Sequence, residues 1–169
     1  MNTNLTVAQK KKLVKELRKA SALHKGQADL IEKNYKKTGE EKMMDWNMST
    51  YFTQYEFKCS HTGQCDMNPD FISKLNELRT AYGKPMKITS GYRSTSHPIE
   101  RKKKTPGAHT TGQAADIAVS RQDAFDLLSL ALSKGFTGIG IQQKGSGRFI
   151  HLDTLENSEG RPRPTVWSY

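Results

Sequence analysis

Long hydrophobic runs are absent from this chain of 169 residues, so no segment has the length of a membrane-spanning helix. The opening "MNTNLTVAQKKKLVKELRKA" has no apolar stretch beside its lysines, which argues against a secretory signal. The expectation is a chain made soluble, in a cytosol. Cysteine is scarce: Cys59 and Cys65 are too few for a disulfide framework and are expected as reduced thiols. The segment "CSHTGQC" offers two thiolates and His61, but no fourth ligand is evident and the short Cys-x-x-Cys knuckle is missing, so a second metal site is not expected there. Internal repeats and low-complexity tracts are also lacking. Acidic residues are in the minority: 17 Asp and Glu stand against 27 Lys and Arg, giving a formal net charge of +10. A field of that sign favours polyanionic partners such as nucleic acid, acidic membranes or bacterial wall polymers. No nucleic-acid motif accompanies the charge, and basic clusters without interleaved aromatics do not predict specific nucleic-acid binding.

The length and the 34% hydrophobic content suit one modest core plus an accessory segment. Residues 1–45 carry eleven basic and six acidic side chains and read as a basic helical N-terminal arm, with the main domain spanning 46–169. Thr6 and Gln9 form a capping box, and Leu13, Leu17, Leu30, Ile31 and Tyr35 recur at helical spacing around a break at Gly26. Such a strip is either a solvated hairpin or an arm that docks on a larger assembly. A connector then leads to "NPDFISKLNELRTAYGKP", a helix capped by Asn68 or Asp70, apolar at Phe71, Ile72, Leu75 and Leu78, and stopped by Gly83 and Pro85. "MKITSG" reads as a strand, "STSHPIERKKKTPGAHTTG" as a long basic loop, "QAADIAV" as a buried strand and "RQDAFDLLSLALSKG" as an amphipathic helix. "TGIGIQQKGSGRFIHLDT" reads as two strands joined by a Gly-Ser-Gly turn, and the tail "ENSEGRPRPTVWSY" as irregular. Helices and strands interleave without βαβ periodicity, which predicts an α+β domain with a small mixed or antiparallel sheet and flanking helices.

Strand alternation selects the side chains that carry chemistry. In "RFIHLD", Phe149, His151 and Asp153 share one face, while Ile150 and Leu152 point the other way into a core. In "AADIAV", Asp116 lies between Ala114 and Ala118, small neighbours that leave room above it. A carboxylate on an interior strand is costly unless a metal or a charged partner neutralises it. His109, Asp116 and His151 together make a two-imidazole, one-carboxylate set with a fourth tetrahedral position left open, the arrangement a catalytic zinc requires.

"ITSGYRS", "GAHTTGQAADI", "GIGIQQKGSGRFIHLDT" and "RPRPTVWSY", in that order, resemble the M15 family of zinc peptidases, the D-alanyl-D-alanine carboxypeptidase type that includes phage endolysins and cell-wall endopeptidases. The resemblance runs from about Phe52 to Tyr169 and leaves out the first 45 residues. It implies a Hedgehog/D-Ala-D-Ala peptidase-like fold, Zn2+ held by His109, Asp116 and His151, and Arg93 facing the substrate or a developing oxyanion; a salt bridge holding its turn is the other reading of Arg93. Many relatives carry a general base as Glu three residues, or His two residues, before the last zinc histidine, where this chain has Arg148 and Phe149. Asp153 is then the nearest acidic candidate for the base, or else a partner that orients His151. Gly107 stands where relatives often have Ser, so recognition of a terminal D-alanine is not implied. The basic loop, with His97, is expected to contact an anionic glycan-peptide strand. The implied activity is cleavage of peptide bonds in bacterial peptidoglycan by a phage endolysin or virion-associated lysin, made in the host cytoplasm and acting on the cell wall, with residues 1–45 a possible dock for virion or tail proteins. The alternative is a structural or wall-binding component of a phage particle that keeps the fold and catalyses weakly.

Overall fold

Alternation of apolar and small or polar residues along the strands produces a sheet with two unlike faces. The structure, a computed structural model, describes residues 43–169. The chain divides into one unit from Met1 to Glu41 and another from Lys42 to Tyr169, and the helices expected before residue 43 lie outside the described residues. The described part runs through a 3-10 turn at Trp46–Met48, α1 (Gln54–Phe57), α2 (Pro69–Tyr82), β1 (Lys87–Ser90), a second 3-10 turn at Ala108–Thr111 and β2 (Ala114–Ala118). It continues with α3 (Arg121–Ser133), β3 (Gly138–Gln142), β4 (Phe149–Asp153) and β5 (Thr165–Ser168). The strands form one mixed sheet in the order β1-β2-β4-β3-β5, antiparallel throughout except for the parallel pairing of β3 with β5. This is the expected α+β domain.

The core face carries Ala115, Ile117, Ile139, Ile150 and Leu152, all buried beneath α2 and α3. Helix α2 presents Phe71, Ile72, Leu75 and Leu78 to it, and α3 presents Ala124, Leu127 and Ala131. Asn68 caps α2 by accepting from the amides of Asp70 and Phe71 at 2.9 and 3.0 Å, and Gly83 ends it in the left-handed conformation with φ 70°. The segment expected only to connect also builds the core: Phe52 and Phe57 are buried and meet edge to face with ring centroids 5.6 Å apart.

The tail departs from expectation. Residues 165–168, read as irregular, add a parallel edge strand to β3, pairing Gly140 with Trp167. Its residues alternate between half-buried and exposed, and among the described residues only one edge of it is paired, so the apolar signal that marks the interior strands is missing here.

Candidate metal centre

On the opposite sheet face, register brings the polar residues together. Asp116 of β2 pairs directly with His151 of β4, and Gly138 and Gly140 of β3 pair with Asp153 and His151. Directly opposed antiparallel residues are the nearest cross-strand neighbours, with Cβ atoms about 5 Å apart. His109 comes from the 3-10 turn that precedes β2, and two glycines hold that turn in position. Gly112 has φ 69°, and a Cβ on it would lie 2.1 Å from the Asp66 carbonyl oxygen. Gly91 packs so closely on Phe57 that a Cβ would lie 2.5 Å from its Cα, and the Gly91 carbonyl accepts from His109 Nδ1 at 2.7 Å.

That last contact decides how His109 faces the site. With Nδ1–H donated to a carbonyl, Nε2 carries a lone pair; it lies 3.2 Å from both Asp116 Oδ1 and His151 Nδ1. His151 is arranged in the mirrored sense: Nε2 is 3.3 Å from Asp153 Oδ2, a carboxylate that can only accept, so Nε2 holds the hydrogen and Nδ1 turns inward, 2.8 Å from Asp116 Oδ1. Three acceptor atoms therefore converge in a buried space, since His109, Asp116 and His151 are 4%, 6% and 3% exposed. A proton can bridge one of these contacts and leaves the others repelling; a multivalent cation satisfies all three. Tetrahedral ligands about 2.0 Å from zinc lie about 3.3 Å from one another, so the observed separations of 2.8 to 3.2 Å suit such an ion after small side-chain shifts. Among the described residues, this is the one group of three or more His, Cys, Asp and Glu side chains whose ligand atoms lie close enough to hold a metal. Cys59 and Cys65 are free thiols, and burial pushes Cys65 up to about 11.

With no cation bound, a proton taken up on an inward imidazole nitrogen is the alternative: burial works to raise the Asp116 carboxyl, but hydrogen bonds and charge from His109 and His151 in that protonated form outweigh it and hold the group well below the usual carboxylate range. Burial lowers His109, against the pull of Asp116. In His151 burial acts in the same direction, yet the two carboxylates on either side win and the group is raised. The Asp116 carboxylate also has the charged partner its interior position demands. Arg93 Nη2 donates to Oδ2 at 2.9 Å, while Arg93 Nε donates to Ser90 Oγ at 2.9 Å and Nη1 lies 3.7 Å from Glu100. Arg93 thus sits between two carboxylates, with at most three of its five N–H groups engaged by described residues.

Asp153 lies beside the converging atoms, not among them. It is fully buried, its two oxygens accept from Arg163 Nε at 2.9 Å and Nη2 at 2.6 Å, and Oδ1 also accepts from the Leu155 amide at 3.2 Å. Burial opposes ionisation, but His151 and Arg163 outweigh it and hold the carboxyl well below its ordinary range. His97 is outside the cluster. It borders a recess of about 230 Å³ with Lys58, Ser60, Thr89 and Arg93, its Nδ1 accepts from the Ile99 amide at 3.2 Å, and its Nε2 is 3.4 Å from Ser60 Oγ. Arg101, Lys102 and Lys104 of the neighbouring loop are exposed, whereas Lys103 pairs with the buried Glu100 at 2.8 Å. Glu100 also accepts from the Gly107 amide at 2.8 Å, and a Cβ at Gly107 would lie 2.5 Å from Lys103 Nζ and 2.9 Å from that carboxylate, so a side chain there would have to displace the pair.

Four residues to which the sequence alone assigns no role at the site also border it: Glu100, and Arg163, Trp167 and Tyr169 of the "RPRPTVWSY" motif. The Trp167 ring packs 5.3 Å from His151, and Tyr169 packs 5.2 Å from Phe149. Burial, reinforced by the Asp116 charge, raises the Tyr169 phenol, so it stays protonated at neutral pH. The usable signal was "GIG" in β3, because glycine inside a strand marks a close approach. A Cβ at Gly138 would lie 2.2 Å from Asp153, and one at Gly140 would lie 2.7 Å from the Trp167 indole.

Among curated proteins, none matches the chain. A family model described as Peptidase M15 does match, over residues 50–153, and that stretch holds His109, Asp116 and His151. With most of its length matched to a family of metal-dependent peptidases, and a buried His-Asp-His group able to hold the ion, the chain belongs to the Peptidase M15 family.

Proposed function

We propose that the protein is a zinc-dependent peptidase that cleaves peptide bonds of bacterial peptidoglycan, as a phage endolysin or virion-associated lysin. The observation that carries the reading is the convergence of His109 Nε2, Asp116 Oδ1 and His151 Nδ1, with the outward atoms of both imidazoles already committed as donors. His109, Asp116 and His151 would hold the ion, and three protein ligands leave room for water or substrate. Zinc in such a site supplies a Lewis acid that polarises a carbonyl and acidifies water.

The remaining roles belong to the chain's own groups. Arg93 keeps Asp116 ionised and retains N–H groups to direct at a substrate carbonyl oxygen as charge develops on it. Asp153 orients His151; engaged by a guanidinium at both oxygens, it is too weak a base to take a proton at neutral pH. Tyr169, held in its protonated form, is available as a donor at the rim. The exposed Arg101, Lys102 and Lys104 attract an anionic peptide or glycan strand, and His97 with Lys58 offers polar contacts in the recess beside Arg93. Localisation follows from the function proposed: synthesis in a host cytoplasm and action on the wall, with residues 1–45 as a dock for virion or tail proteins.

One observation favours the second reading, a wall-binding phage component with weak catalysis: among the described residues, the carboxylates beside the cluster, Asp153 and Glu100, are both committed to cations. Loss of turbidity of stripped Gram-negative sacculi separates the two. Lysis by the wild type and none by His151→Ala supports the peptidase; equal traces from both supports the binding component.

A further inference from the structure

Beyond Asp153, where the family match ends, the tail returns to the metal centre and adds Arg163 and Trp167 to it. Arg163 grips Asp153 in a bidentate pair, Nε on Oδ1 at 2.9 Å and Nη2 on Oδ2 at 2.6 Å. Its guanidinium stacks over the Trp167 ring, 5.3 Å from the centroid, and the same ring packs 5.3 Å from His151. Gly138 and Gly140 provide the space: a side chain at either would collide with Asp153 or with Trp167. Tail, carboxylate and imidazole thus close into one cycle of contacts.

We infer that Arg163 is a positioning residue of the metal centre, acting through Asp153 to keep the His151 ring oriented with Nδ1 toward the ion. This rests on the metal-centre reading above. The physical reason is the two-sidedness of a carboxyl group. Paired with a guanidinium, Asp153 offers only lone pairs to His151 Nε2, which must then bear the hydrogen and leave Nδ1 free. An Asp153 released from Arg163 is free to turn away, and the ring loses the acceptor that holds its outer nitrogen and its reason to present Nδ1. A ligand histidine whose outer nitrogen is fixed in this way binds metal more tightly, and loss of such a partner weakens affinity roughly ten- to a hundredfold.

The test measures Zn2+ affinity of the full-length protein by competition with a chromophoric chelator, alongside the visible spectrum of the Co2+ form. Arg163→Met is expected to bind Zn2+ about tenfold or more weakly and to alter the Co2+ bands, and Arg163→Lys, which restores charge but not the fork, to fall between it and the wild type. Arg161→Met is the control: Arg161 ties the tail to the Pro106 carbonyl without touching Asp153, and its affinity is expected to stay at the wild-type value. Should Arg163→Met fail to fold because it strands a buried carboxylate, Asp153→Asn/Arg163→Met decides against Asp153→Asn alone. Equal affinities in that pair support action through Asp153; a further loss in the double variant overturns it. Wild-type affinity in Arg163→Met, or an equal loss in Arg161→Met, also overturns the inference while leaving the metal centre intact. A wild type that binds no Zn2+ removes both.

Discussion

At the residue scale, function depends on which atom of each side chain is left over once its other atoms are engaged. His109 donates from Nδ1 to Gly91, His151 is positioned to donate from Nε2 to Asp153, and Asp116 gives Oδ2 to Arg93; what remains of each meets at one point. Asp116→Asn is therefore expected to abolish the rise in melting temperature that zinc produces in the wild type. For the wild type, that rise corresponds to about 2.7 kcal/mol at a free zinc concentration about a hundred times the dissociation constant. Gly138→Ala tests the space above Asp153: a methyl 2.2 Å from the carboxylate oxygen must displace it, and differential scanning calorimetry is expected to report about 1 to 3 kcal/mol of destabilisation. Glu100 gives a pH signature. Burial raises its carboxyl, but Lys103, the Gly107 amide and Arg93 outweigh that and lower it, so its stabilisation is present above the unfolded-state value and fades as pH falls through the folded-state value. The stability difference between wild type and Glu100→Gln, measured in urea, is expected to be largest near neutral pH and to shrink below about pH 4.3. The His109, Asp116 and His151 group was legible in the sequence because strand alternation and small neighbours announce a face. Arg163 and Glu100 were not, because an ion pair between a loop and a strand leaves no periodic trace.

At the element scale, each strand does two jobs with its two faces, and each helix covers only one of them. The legible elements were those with strong periodicity or punctuation: α2 with Asn68 and Gly83 at its ends, α3, and the interior strands β2, β3 and β4. Strand β5 was illegible because its four residues lie at an edge, half exposed, where pairing with β3 and not sequence pattern decides their conformation. Asn68→Ala removes the oxygen that caps two amides of α2 and is expected to cost about 1 kcal/mol in chemical denaturation. Leu75, fully buried at the centre of the same helix, is expected to cost about 2 to 5 kcal/mol as Leu75→Ala.

At the scale of the whole molecule, the formal net charge is +10. A field of this sign raises the local concentration of any anionic polymer and weakens as salt screens it over about 10 Å at 0.1 M. Under the function proposed above, lysis rate on sacculi is expected to fall with ionic strength. Joint replacement of Arg101, Lys102 and Lys104 by Gln is expected to flatten that dependence while leaving zinc content unchanged. The most direct measurement is the metal content of the protein purified without added zinc, beside that of Asp116→Ala. Three converging ligands predict about one zinc per wild-type chain and a marked loss in the variant. A folded wild type that retains no divalent ion and takes none up from micromolar zinc would contradict the centre described here.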